Sequence, residues 1–151
     1  MVYLGHIVGH VQLKIDPSKV EAIVNWSKPT SVIKVHNFLG AVQYWRRFIA
    51  NFSIIGAPLD ALASVKQIFK WEGKQHNSFE TLKEKISSTS VFALPNLQHP
   101  FEIEIDGRGY AMGAVLMRQK KSICYHSNNF FQNVISYPTY VKELCALVQS
   151  V

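Results

Sequence analysis

Cysteine is scarce in this chain: Cys124 and Cys145 are the two among 151 residues. Two distant thiols in a chain of this size make no disulfide framework, so reduced thiols in an intracellular compartment, cytoplasmic or nuclear, are the expectation. With no partner cluster around them, both are expected to act as small buried hydrophobes. Long apolar runs are missing too. Nothing approaches the roughly 20 residues of a membrane span, and the N-terminus lacks a signal-peptide layout, so no membrane association is expected. No G-x-x-x-x-G-K loop is present to cradle phosphates. His6 and His10 are four apart on strand-like sequence, which places them at a turn and argues against zinc. Charged residues are only 17% of the chain against 48% hydrophobic, which excludes an unfolded polar tail. Negative charge is the scarcer sign: 10 Asp and Glu against 16 Lys and Arg give a net charge of +6. That balance favours a polyanionic partner without naming one.

The length allows one ordinary domain or two small ones, and there is no internal repeat. Val2 to Ile15 alternates like two short strands, with Gly9-His10 as a turn. A lone hairpin is marginal in water, so it needs something to pack on. Asp16 is a good helix N-cap and Pro17 suits the first helical position. Val20, Ile23 and Val24 make that helix's apolar face, and Trp26 closes it. After Pro29, Thr30 or Ser31 can cap a second helix. Val32, Val35, Phe38 and Leu39 form one stripe, and Val42, Trp45, Phe48 and Ile49 continue it beyond an interruption at Gly40. This spacing predicts a helical pair or a bent helix, with Lys34, His36, Arg46 and Arg47 on the wet side. Trp45 and Tyr44 are expected in the core, not as stacking platforms.

Residues 57–62 read as a further short helix, and residues 74–87 as another, in which His76, Phe79, Leu82, Lys83 and Ile86 have helical spacing. The run Val91 to Pro95 breaks that helix and leads to Phe101. Phe101 to Asp106 alternates with period two, Gly107 to Gly109 makes a turn, and Tyr110 to Met117 and Ser122 to His126 give two more strands. Pro138 opens a final helix whose Leu144, Leu147, Val148 and Val151 share a face. The fold class expected is mixed α+β.

One string carries more than periodicity. The pattern W-x-x-P-x-S-V-x-x-V-x-x-F-L-G-x-x-x-Y-x-R-R-F-I-x-N-F-S over residues 26–53 resembles the thumb region of Ty3/gypsy-type LTR retrotransposon polymerases. Tyr3-Leu4-Gly5-His6-Ile7-Val8 resembles the primer-grip hairpin of reverse transcriptases. A-P-L-D-A-L at 57–62, similar to the family's A-x-P-L-x-x-L, and F-K-W at 69–71, S-x-x-V-x-A-L-P and H-P-F resemble the segments that lead into ribonuclease H. The resemblance implies four regions: a grip-like hairpin over 1–15, a helical thumb over 16–65, a connection over 66–100, and the first half of a ribonuclease H domain over 101–151.

It also implies the chemistry. Ribonuclease H cleavage uses several carboxylates converging on two metal ions. Asp106, at the end of its strand before G-A-V-L, matches the family's first carboxylate, and Glu143, in Y-x-x-x-x-K-E-L-x-A-L-V, matches the second. The sequence departs from the family at Gly107-Arg108, where a small residue and serine are usual, and at Glu102, where the family is apolar. The parent enzyme would use Mg2+; two carboxylates without substrate phosphate would hold it weakly, so none is expected bound tightly here. The polymerase palm and the later carboxylates fall outside residues 1–151, so these residues alone are expected to be catalytically incomplete. Nucleic-acid contacts are implied for Tyr3, Leu4, Gly5, Lys34, Asn37, Gly40, Arg46 and Arg47, with an RNA/DNA hybrid or other duplex as the weakly bound partner. The alternatives are a domesticated non-catalytic binding module and a non-functional folded remnant. Finally, the 101–106 strand is expected to keep an open edge, which invites self-association.

Overall fold

The computed structural model describes residues 2–3, 6–8, 12–64, 68–88, 91–93, 100–108, 111–130 and 132–150. The expected turn at Gly9-His10 lies outside them, as do Leu4, Gly5 and Val151. The described elements are helices packed around one aromatic core, a small four-stranded sheet and a three-stranded antiparallel sheet, a mixed α+β arrangement.

Helix α1 (Pro17–Val24) begins as its sequence dictates. Asp16 accepts from the Ser18 amide and Pro17 fills the first turn. Helix α2 (Val32–Val42) is capped by Ser31, whose hydroxyl accepts from the Lys34 amide at 3.3 Å. The expected interruption at Gly40 does not occur. An interior glycine costs about 1 kcal/mol, and the burial of Val35, Phe38 and Val42 along the stripe outweighs it. The axis changes at Gln43 instead. Gln43–Phe48 winds as a 3-10 segment, and Trp45 stays in the core with Ile49 just beyond it. The chain then reverses at Asn51, whose φ of 59° suits asparagine better than most residues.

Helix α3 spans Phe52–Ala63, starting five residues before the expected 57–62 and enclosing Pro58. An interior proline costs about 3 kcal/mol. Burial of Phe52, Leu59 and Leu62, at about 1.5–3 kcal/mol each, is enough to carry the helix through. Helix α4 (Gly73–Ser88) buries Phe79, Leu82 and Ile86 of the expected stripe, while His76 is exposed and Lys83 half-buried. Phe79 meets Phe38 at a tilt of 52° with ring centroids 4.6 Å apart, while Trp26 meets Phe38 and Trp71 meets Phe79 edge-on. Lys83 donates to the Trp26 carbonyl at 3.2 Å, tying α4 to the end of α1.

The N-terminal residues form three short strands, not two: β1 (Val2–Tyr3), β2 (His6–Val8) and β3 (Gln12–Ile15). What they pack on is a fourth strand, β4 (Val91–Ala93), expected only as a break after α4. Its partner is β3, antiparallel, in the register Gln12↔Ala93 and Lys14↔Val91.

The second sheet has the order β5-β6-β7, from β5 (Glu102–Arg108), β6 (Ala111–Arg118) and β7 (Lys121–Asn129). β5 continues through the expected turn at 107–108 because Gly107 and Arg108 still pair with Met112 and Ala111. Gln119 and Lys120, at φ 48° and 61°, make the tight reversal into β7. β5 lies at the open end of the strand order, so the expected free edge exists among the described residues.

A short helix α5 (Gln132–Ile135) leads to α6 (Thr139–Ser150). Leu144, Leu147 and Val148 are 59%, 46% and 72% exposed. The buried contact is Ala146, which with half-buried Cys145 packs on Met112, Phe130 and Ile105. Small side chains let the helix backbone approach the sheet, and that close seat turns the larger apolar residues outward.

Candidate nucleic-acid interface and carboxylate cavity

The outer face of α2 combines polar side chains with a bare stretch of backbone. Lys34, His36, Asn37 and Gly40 are all exposed on it, and Arg47 is exposed beyond. Lys34 is steadied by its Nζ donating to Thr30 Oγ1 at 2.9 Å. His36 Nε2 lies 3.0 Å from the Ala63 carbonyl, a contact that requires the Nε2–H tautomer. A Cβ at Gly40 would have nothing within 4 Å. That glycine is therefore not needed by the protein's own packing.

Two open grooves flank this face. One, of about 500 Å³, runs between α2 and α3 and is lined by His36, Gly40, Gln43, Asp60 and Ser64 among others. The second, of about 310 Å³, is lined by Trp26, Ser27, Lys28, Lys34 and Asn37. Lys28 also lies over the Trp71 ring. Gln43 and Lys28 were not singled out by sequence; the i+3 spacing from Gly40 to Gln43 was the available signal.

Arg46 takes a different place from the one its spacing implied. It is half-buried, and its Nε donates to the Ser127 carbonyl at 3.1 Å. Its Nη2 donates to that same oxygen, to Ser53 Oγ at 3.0 Å and to Asn128 Oδ1 at 3.3 Å. Ser53 and Ser127 are themselves buried and hydrogen-bonded to each other. Arg46 thus joins the 3-10 segment and α3 to β7, while Arg47 keeps the solvent-facing position. Tyr3 lies on β1, and Leu4 and Gly5 lie outside the described residues. Trp45 is in the core as expected, and Tyr44, 38% exposed, packs edge-on against it.

Asp106 lines a cavity of about 240 Å³ at the junction of the helical unit and the second sheet. Glu104, Asn51, Tyr125 and His126 share it. Alternation along β5 puts Glu104 and Asp106 on one face. Asn51 comes close because Gly113 has no side chain: a Cβ there would sit 3.4 Å from Asn51 Oδ1. Burial first, and then the charge of Arg46, hold His126 below its usual imidazole value. Glu143 is exposed on α6 and is not among the residues described around this cavity. Nor do the described residues gather three or more His, Cys, Asp or Glu at one point. The arrangement therefore falls short of a two-metal carboxylate site. Both cysteines are half-buried, and burial raises the Cys124 thiol against the opposing effect of Arg47.

Residues 71–151 match the RNase H-like domain found in reverse transcriptase. The retrovirus-related Pol polyprotein of the Drosophila melanogaster transposon gypsy is 32% identical over 158 residues, covering 97% of this chain and 15% of that protein. An uncharacterized mitochondrial protein of Arabidopsis thaliana, AtMg00860, is 37% identical over 103 residues, 67% of this chain and 65% of that one. The foamy viral protease-reverse transcriptase has been solved as its dRH form with double-stranded DNA and also with an RNA/DNA hybrid. In both structures it shares this fold at a TM-score of 0.87 and 18% identity, over 99% of this chain and 27% and 21% of those chains. The chain spans 15% of the length of the gypsy polyprotein that it matches. No described helix is long and apolar enough to cross a membrane.

Proposed function

This chain belongs to the family of RNase H-like domains found in reverse transcriptase, and on that premise we propose that it holds a nucleic-acid duplex for a transposon-type Pol enzyme. In this reading residues 1–15 are a grip-like hairpin, 16–65 a thumb, 66–100 a connection and 101–151 the leading half of a ribonuclease H-like unit. The parent activity is RNA-directed DNA synthesis with degradation of the RNA strand, in an intracellular compartment. Asp106 and Glu143 are the inherited carboxylates, and Mg2+ is the parent's cofactor. With no cluster of three ligating groups among the described residues, no catalytic step is assigned to residues 1–151.

The observation that carries the reading is the outer face of α2. Gly40 costs the helix stability and is not needed by any neighbour. Bare backbone there lets a sugar–phosphate surface come close, while Lys34 and Arg47 supply charge and Asn37 a neutral hydrogen-bonding group. Such contacts position a duplex without reading its sequence. The foamy viral protein, bound to duplexes of both kinds, supports the class of partner. A second reading, a binding module without catalysis, is favoured by the Arabidopsis relative, in which matching sequence makes up 65% of a separate protein.

Titration of labelled RNA/DNA hybrid and double-stranded DNA across a range of salt tests the proposal. Binding should weaken steeply with salt, and Lys34→Ala with Arg47→Ala should lower the slope of log K against log salt by about 2. Gly40→Ala should stabilise the protein by about 0.5–1 kcal/mol while weakening the complex. An unchanged slope together with unchanged binding by the Gly40 variant would overturn the assignment of this face.

A further inference from the structure

Acidic residues are absent from two long stretches of the chain, between Glu21 and Asp60 and again between Asp106 and Glu143. The first holds α2 and the 3-10 segment, and the second holds β6 and β7. The contact of Arg46 with Ser127 joins them, so the two acid-free stretches meet at one seam. Arg47, exposed beside that seam, stands close enough to Cys124 for its charge to act on the thiol. At the start of β7 the β6–β7 hairpin carries Lys120 and Lys121, both exposed.

Register aims these cations. Residues paired across a ladder share a face, and faces alternate along a strand. Lys121 pairs with Arg118 and Cys124 with Leu116, and the ladder slips between Leu116 and Met117. Arg118 and Leu116 are two positions apart, so Lys121 shares the face of Cys124. Without that bulge, three positions of separation would put Lys121 and Cys124 on opposite faces. The carboxylates go the other way: Glu102 and Glu104 pair with Met117 and Val115, on the opposite face. The sheet is thereby sorted by charge, with Lys121 turned away from the acidic row.

The turn itself is costly. Gln119 and Lys120 stand at φ 48° and 61°, where glycine or asparagine is at ease and a long side chain is not. Glycine at 120 would make a more stable reversal, so the turn does not account for a lysine there.

We propose that Lys120 and Lys121 form a second phosphate-contact site, so that a duplex held on α2 extends past Arg47 onto the β6–β7 hairpin. The assignment rests on the duplex reading of α2 and lengthens its footprint. From Lys34 along α2 and the 3-10 segment to Arg47, and then from Cys124 to Lys121, the path is roughly 30 Å. That is about nine base pairs at about 3.4 Å each. Lysine ammonium groups meet phosphate oxygens as point charges, and such contacts carry no sequence preference. A duplex is favoured over an acidic peptide because its regularly spaced phosphates can meet Lys34, Arg47 and the hairpin at once.

Two hybrid stems, of about 6 and about 16 base pairs and each closed by a loop, test this on the whole chain across a range of salt. On the long stem, Lys120→Ala with Lys121→Ala should lower the slope of log K against log salt by about 2, and on the short stem, held at α2, it should change nothing. Lys120→Gly should raise the unfolding midpoint and still lower the long-stem slope by about 1. Lys70→Ala with Lys74→Ala, the same loss of charge at the start of α4, should leave both slopes as they are. The proposal is overturned if the hairpin variants match the parent on the long stem, if the α4 pair has the same effect, or if polyglutamate gains as much from the two lysines as the long stem does. Lys34→Ala with Arg47→Ala on the short stem tests α2 by itself, so an effect there beside none at the hairpin would strike the extension alone.

Discussion

Arg46 and Ser127 lie 81 positions apart in the chain, yet one guanidinium grips the other residue's carbonyl through both Nε, at 3.1 Å, and Nη2. Ser53 completes the contact by donating to the same oxygen at 3.0 Å. This is the polar seam between the helical unit and the second sheet, and it is buried on the serine side. A hydrogen bond to a charged group is worth about 1.5–3 kcal/mol, and leaving its buried partners unmet costs a similar amount.

Arg46→Ala should therefore destabilise the protein by about 2–3 kcal/mol in urea unfolding. Arg46→Lys should recover little, since an ammonium cannot span two acceptors as a fork does. Arg47→Ala should stay within about 0.5 kcal/mol of the parent. Equal losses at 46 and 47 would mean that the seam is not held in solution.

The seating of α6 gives a second expectation. Ala146 is fully buried against the sheet, so Ala146→Leu should cost about 1–3 kcal/mol through overpacking. Val148→Glu, on the outward side, should change stability by no more than about 0.5 kcal/mol. The reverse order would place the Leu144–Val148 side inward.

Asp60 sets a pH dependence. Asp60 is exposed at the groove between α2 and α3, and desolvation by its surroundings there raises its carboxyl above the usual 3.8, against the opposing effects of Arg46 and His36. A carboxyl raised in the folded state favours folding while protonated. That contribution is complete below the unfolded value and is lost as pH climbs through the folded one. Asp60→Asn should accordingly gain stability relative to the parent as pH rises above the usual carboxylate value and through the raised folded one. A difference that stays flat across this window would contradict the shift.

Nuclease assays address the carboxylates. Residues 1–151 should show no metal-dependent cleavage of an RNA/DNA hybrid, because Asp106 and Glu143 belong to no cluster of three. Cleavage with magnesium or manganese that Asp106→Asn abolishes would show instead that the cavity beside Glu104 assembles a working site.

What could be read from the residues was local. The Asp16-Pro17 cap, the Val35–Phe38–Val42 stripe and the three alternating strands each carry their signal within a few positions, and all appear in the structure. The misses depend on what meets what across the fold. Val91–Ala93 is three residues long and becomes a strand only because β3 lies beside it. Arg46 looked like a surface cation because periodicity does not reveal an acceptor 81 positions away. Leu144, Leu147 and Val148 share a helix face, but that pattern does not say which face meets the sheet, and the buried contact is Ala146. Glu143 was named by family pattern alone, and nothing in its own segment sets its distance from Asp106.

The pairing of β3 with β4 also dictates an order of assembly. Lys14 meets Val91 in that ladder, and every helix from α1 to α4 lies in the chain between them. Closing so wide a loop before its contents condense would forfeit entropy for a three-residue ladder. The helices, rich in near-neighbour contacts, are fitted to condense first. Their packing then delivers the two strands to each other, so that the ladder reports on a core already built.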